Sequence, residues 1–287
     1  EKRYGSTART ILAIIGIIGA LFVHIGMSLY AGAAVFKAFF GINVITSILV
    51  ISVITAIYTV LGGLKAVVVT ETVQTVILIL GAIVLTGFAI AALPDKGITS
   101  LSELKAALKP GQLNMLLSRE SLGMLGEGSS DSGLTWYGAL LGIPVLGIWY
   151  WCSDQTIVQR VLGAKTLQAA QMGPVFAGFL KILPVFILVL PGVIAYVLFS
   201  GIIGTDANQA LPVMIDQLLP TGLKGIIAAA LLAALMSTIA AALNSSATLV
   251  AVDIVKRIKP STTDKQQIRY GRIAAVVVML LAMLWST

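Results

Sequence analysis

Residues 225–252 read GIIAAALLAALMSTIAAALNSSATLVAV, with no charged side chain between Lys224 and Asp253. A run of this length and apolarity exceeds the ~20 residues a helix needs to cross a hydrocarbon layer of about 30 Å. Within it Ala234, Ser237 and Thr238 fall at helical spacing, so both hydroxyls lie within one turn of the Ala234 carbonyl. Three oxygens at one spot suit a hard cation such as Na+, which would take its other ligands from a neighbouring helix. The pair also fits a purely structural role, because Ser and Thr in membrane helices commonly bond back to the carbonyl one turn earlier. Asn244, Ser245 and Thr248 continue the polar seam and would suit a hydrated exit path for an ion.

Similar uncharged runs cover 11–36, 42–64, 72–94, 132–153 and 182–205, and another begins near Ile273. They predict a single transmembrane domain over 1–287, with spans near 10–36, 42–64, 67–94, 132–158, 171–205, 222–256 and 268–287 and an extracellular loop over 95–131. Hydrophobic residues make up 58% of the chain and charged ones 11%, and the mean hydropathy is +1.00. A soluble domain carries roughly 25% charge, so the composition specifies an all-α, multi-pass protein of the cell membrane, embedded in the lipid bilayer.

A net charge of +7 would suggest nucleic acid as a partner for a soluble protein. Here the basic residues gather in alternate loops: Lys2, Arg3 and Arg9, then Lys65, then Arg160 and Lys165, then 256–272. That is membrane topology, with those loops facing the cytoplasm, and no nucleic-acid role is expected. The opening residues Glu1, Lys2 and Arg3 read as mid-protein, with no secretory signal in view. The lone Cys152 permits no internal disulfide.

Lys181 stands in an otherwise apolar run, ten residues beyond Gln171, or about 15 Å along a helix and hence near the bilayer midplane. A charge there costs on the order of 3 kcal/mol on insertion scales, which favours a functional role with a defined partner. The alternatives are snorkelling and a structural ion pair. Trp149, Tyr150 and Trp151 lie about as far from Arg160, too deep for an interfacial belt. Aromatic faces stack on sugar rings and the phenol adds a polar handle, so a pocket or gate is one reading, and core packing is the other for Trp149. Pro144 and Gly147 predict a break in the fourth run, since proline removes a backbone hydrogen bond and glycine weakens a helix. Broken helices at membrane depth line cavities.

Glu71 follows the Gly62-Gly63 turn, where it either caps a helix N-terminus or attracts a departing cation. His24 is a packed histidine or a weak cavity candidate. The sequence contains no phosphate-cradling glycine loop, HExxH, nucleophile elbow or carboxylate pair in one span, which disfavours an enzyme.

The stretch Trp149-Tyr150-Trp151-Cys152-Ser153-Asp154-Gln155-Thr156-Ile157-Val158-Gln159-Arg160, then Gly178-Phe179-Leu180-Lys181 and Leu190-Pro191-Gly192, resembles the sodium/glucose cotransporters of the sodium:solute symporter family. Leu61-Gly62-Gly63-Leu64-Lys65-Ala66-Val67, Ala233-Ala234-Leu235-Met236-Ser237-Thr238 and Asn244-Ser245-Ser246 resemble further signature segments in the same order. The resemblance covers essentially the whole chain. It implies the inverted-repeat (LeuT-like) transporter core, with this chain corresponding to about core helices three to nine. It further implies a sodium-coupled symporter that imports a sugar such as glucose or galactose by alternating access.

Carried over by residue, the resemblance implies that the Ala234 carbonyl and the Ser237 and Thr238 hydroxyls form half of a sodium site. It implies that Tyr150 gates the sugar, that Trp151 supports Tyr150, and that Lys181 hydrogen-bonds sugar hydroxyls. There are departures: Gly147 falls where relatives place a sugar-contacting polar residue, and Glu71 where many have aspartate. Ala234 stands where a second sodium site needs a hydroxyl, so one sodium per cycle is expected. Rival readings are the same fold carrying an amino acid, carboxylate or vitamin, and a sodium-gated channel or sensor.

Overall fold

The computed structural model describes residues 3–109, 112–113 and 136–287, and every described regular element is helical. The chain opens with α1 (Gly5–Phe40), which loosens into a π-helical stretch at Ala20–Gly26. It ends where Gly41, at φ 65°, takes the left-handed conformation that only glycine adopts at little cost. Asn43 then caps α2 (Val44–Ala91), its Oδ1 accepting from the amides of Ile45 at 2.8 Å and Thr46 at 3.2 Å.

A short helix, α3 (Leu101–Ala106), is held by a reciprocal capping box between Ser100 and Glu103. Next come α4 (Trp136–Cys152), α5 (Gln155–Leu162), α6 (Leu167–Ile203) and α7 (Ala210–Leu218). The chain closes with α8 (Thr221–Ile258) and α9 (Asp264–Ser286), the latter opened by a Thr263–Gln266 capping box. Among the described residues five helices are long and apolar enough to span a membrane: α1, α2 with its short extension to Lys96, α6, α8 and α9. The fourth predicted run appears as the shorter apolar α4, and its first residues, 132–135, lie outside the described ones.

The runs near 42–64 and 67–94 occupy the two segments of α2, which meet at the Gly62-Gly63 turn, where Gly63 has φ 61° and ψ −166°, a conformation essentially confined to glycine. One expectation about breaks changes, the one in the fourth run. Helix α4 passes through Pro144 without ending, because the missing N–H affects only one bond and flanking turns hold the cylinder. The interruption falls instead in α6, whose first segment, Leu167–Leu180, terminates at Lys181 before the helix resumes through a π-helical turn at Val185–Val189.

The chain divides into two compact units: 1–78, 155–164 and 225–287 form the first, and 79–154 with 165–224 the second. In the first, Ile25 and Leu29 of α1, Ile48 and Ile51 of α2, Ile239 and Leu243 of α8 and Met279 of α9 share one buried cluster. Small residues allow the close approach: a Cβ on Gly26 would come within 2.7 Å of the Trp285 ring. Arg9 donates to Asp253, and Arg257 Nη1 donates to the Ser6 carbonyl at 2.8 Å, tying the start of α1 to the end of α8. In the second unit Ile194 and Leu198 of α6 are buried, as are Met214 and Ile215 of α7, and Thr86 Oγ1 donates to the Ile187 carbonyl at 3.4 Å. Many large apolar side chains, among them Ile15, Val53, Leu80 and Leu281, are exposed, as lipid-facing surfaces require.

Candidate functional site

In the first unit, the Ser237 and Thr238 hydroxyls both donate to the Ala234 carbonyl, at 2.8 and 3.2 Å. The hydrogens point at one oxygen, which leaves the hydroxyl lone pairs free to accept a cation. Hard oxygen donors with no nitrogen or sulfur suit Na+. Among the described residues no group of three or more His, Cys, Asp or Glu could hold a metal ion.

Two side chains from other helices grip the backbone of α8, one within this cluster and one just beyond it. Tyr58 of α2 donates its hydroxyl to the Met236 carbonyl at 2.9 Å, and Gln159 of α5 donates Nε2 to the Ala241 carbonyl at 3.2 Å. Sequence reasoning missed both, because 178 and 82 residues separate the partners. The only signal is a polar group inside an apolar environment.

Glu71 does not cap a helix N-terminus. It lies two turns into the segment of α2 that follows Gly63 and pairs bidentately with Arg160: Nη2 to Oε1 at 2.6 Å and Nε to Oε2 at 3.1 Å. Arg160 also donates to the Thr156 carbonyl. Nearby, a cavity of about 530 Å³ borders the Gly63 break, with Thr59, Asn244, Thr248, Asp264, Gln267 and Arg272 among its walls. Asn244 and Thr248 thus share one cavity as the polar seam anticipates, whereas Ser245, almost fully buried, is not part of its lining. His24 sits in the π-helical stretch of α1.

In the second unit, Lys181 closes the first segment of α6, where the last carbonyls of the segment favour a cation. Its Nζ stands 4.2 Å from the Tyr150 ring centroid and 5.0 Å from that of Trp151. Those rings meet edge to face at 5.4 Å. Among the described residues Lys181 makes no ion pair, and its ammonium faces aromatic rings instead. Gly147 lies one turn before Tyr150 and Trp151 on the same face of α4, and a Cβ there would meet nothing within 4 Å. Lys181, Tyr150 and Trp151 therefore form one aromatic and cationic corner, with Gly147 one turn earlier on α4, while Ala234, Ser237 and Thr238 belong to the other unit.

The sodium:solute symporter family model matches residues 1–287. The chain belongs to that family. It is 33% identical over 305 residues to the sodium/myo-inositol cotransporter 2 of Bos taurus, covering 99% of this chain and 45% of the relative. It is 33% identical over 311 residues to the sodium/glucose cotransporter 2 of Rattus norvegicus, covering 99% and 46%, and 30% identical over 318 residues to the sodium/glucose cotransporter 1 of Ovis aries, again covering 99% and 46%. The chain thus spans about half the length of the curated relatives it matches. A solved structure of a Na+-coupled sialic acid symporter, substrate-bound and outward-open, superposes with a TM-score of 0.77 at 22% identity, covering 96% of this chain and 58% of that one. The family member described here therefore has the LeuT-like transporter fold that the motifs implied, in a multi-pass membrane protein.

Proposed function

We propose that this chain forms the core of a sodium-coupled symporter that imports a sugar such as glucose or galactose by alternating access. The observation that carries the reading is the convergence of the Ser237 and Thr238 hydroxyls on the Ala234 carbonyl, in a chain of this family. Sodium takes these oxygens together with ligands from elsewhere in the protein. The sugar binds at the corner of the second unit, where Lys181 donates to its hydroxyls, Tyr150 covers its ring and Trp151 braces Tyr150. Glu71 draws the cation on its way out, in exchange for Arg160. Coupling then requires that sodium and sugar each bind the transporting conformation better than its alternatives, since equal affinity for both states shifts nothing.

The names of the relatives, which are sodium cotransporters for myo-inositol and glucose, favour a polyhydroxylated solute. Gly147 favours a second reading, the same fold with another small solute, because the open space there lacks a polar side chain. Sodium-dependent uptake into proteoliposomes of the full-length protein separates them, using a panel of glucose, galactose, myo-inositol, an amino acid and a carboxylate. Uptake indifferent to sodium, or a Ser237→Ala variant with parental sodium dependence, refutes the coupling site.

A further inference from the structure

We infer that Tyr58 and Gln159 are positioning residues for the cation site, two clamps that set the rotation and height of α8 so that the Ser237 and Thr238 oxygens stay in register. The inference rests on the sodium-site reading above and assigns roles to residues that do not touch the ion.

A carbonyl inside a helix ordinarily accepts one amide, from four residues ahead. Met236 and Ala241 each accept a second donor, from Tyr58 and from Gln159. Met236 immediately precedes Ser237, and Ala241 follows Thr238 by three residues. At 3.6 residues per turn the two clamped carbonyls are roughly 140° apart around the axis and ~7.5 Å apart along it. A helix held at one point can pivot. Held at two points on different sides and heights, it cannot turn or slide without breaking a bond.

The clamps are themselves anchored. Gln159 is 7% exposed, and its Nε2 also reaches the Thr156 carbonyl at 3.4 Å. The neighbouring Arg160 is locked to Glu71, in the segment of α2 that follows the Gly63 break, whereas Tyr58 lies in the segment before it. The segment of α2 before Gly63 therefore grips α8 directly through Tyr58, and the segment after it does so indirectly through Glu71, Arg160 and Gln159. All these residues belong to the first unit. A rotation of about 20° would move a hydroxyl lying ~4 Å from the helix axis by more than 1 Å, beyond the roughly 0.5 Å that a ligand set tolerates.

Sodium titrations of uptake into proteoliposomes of the full-length protein test this with Tyr58→Phe, Gln159→Met and the pair combined. Each single variant is expected to raise the half-saturating sodium concentration about threefold to tenfold, the effect of one lost neutral hydrogen bond. The maximal rate and the solute KM at saturating sodium should stay within twofold of the parent. Tyr196→Phe on α6 serves as the control and should shift nothing. A lower maximal rate with parental half-saturation would mark a merely structural role and overturn the inference. Tyr58→Phe removes one oxygen and keeps the ring, so it carries the test alone if Gln159→Met fails to insert. Parallel Ser237→Ala measurements separate the two levels: loss of sodium dependence there, with parental values for both clamp variants, sinks the clamps and spares the site. Parental sodium dependence in Ser237→Ala removes the site and the clamps with it.

Discussion

Lys181 Nζ stands 4.2 Å from the centroid of the Tyr150 ring, at the point where the first segment of α6 ends. An ammonium over an aromatic face is worth about 0.5–2 kcal/mol, and the carbonyls of the preceding turn add to its retention. The lysine is held by α-helix geometry and ring electrostatics, which leaves its N–H groups available to a hydroxylated ligand.

Lys181→Ala is therefore expected to raise the solute KM tenfold or more at saturating sodium, and Lys181→Arg to recover part of the loss. Tyr150→Phe keeps the aromatic face and should cost less than Tyr150→Leu. Initial rates of labelled glucose or galactose uptake measure all four, and equal effects of the two Tyr150 variants would contradict a role for the ring face.

The Glu71–Arg160 pair has side chains only 17% and 28% exposed, so breaking it leaves a poorly solvated charge. Glu71→Gln and Arg160→Gln should each destabilise the protein by about 2 kcal/mol, read as a melting temperature lower by several degrees in detergent. Glu71→Arg combined with Arg160→Glu should recover part of that loss. A double variant no better than the worse single one would show that the direct pair is not the source of the stability.

Gly63→Ala forces a side chain into φ 61°, ψ −166° and should cost about 1–3 kcal/mol. Gly87→Ala, inside helical α2 where an added Cβ meets nothing within 4 Å, should be neutral or mildly stabilising. Thermal melts of the two variants side by side provide the comparison.

Glu103 is held below its ordinary carboxylate range by hydrogen bonds from the Thr99 amide and hydroxyl and from Ser100. A carboxyl whose folded pKa is depressed stabilises the fold fully above its unfolded value, and that contribution disappears as pH falls through the lower folded value. Acidification below about pH 4.5 should therefore open α3, seen as faster amide exchange at Leu104. Glu103→Gln should remove the pH dependence over that window. Asp216, lowered by the hydrogen bond it accepts from Lys224 and by the charge of that ammonium, should follow the same direction in an NMR titration of its carboxyl.

The sequence by itself determined the membrane class, the apolar runs and the local clusters. Run length sets whether a segment crosses the bilayer, and helical periodicity brings Ser237 and Thr238 to the Ala234 carbonyl without help from any other element. The shared face of Gly147, Tyr150 and Trp151 follows from the same helical spacing, since the three lie within about one turn. Tertiary structure alone decided that α6 breaks at Lys181 while Pro144 stays within α4. It also decided that Glu71 meets Arg160, and that Tyr58 and Gln159 hold the α8 backbone. In a helix that is apolar on every side, the hydrophobic pattern no longer marks which face meets which neighbour. Packing of small residues and a few buried polar bonds make that choice, between partners far apart in the chain.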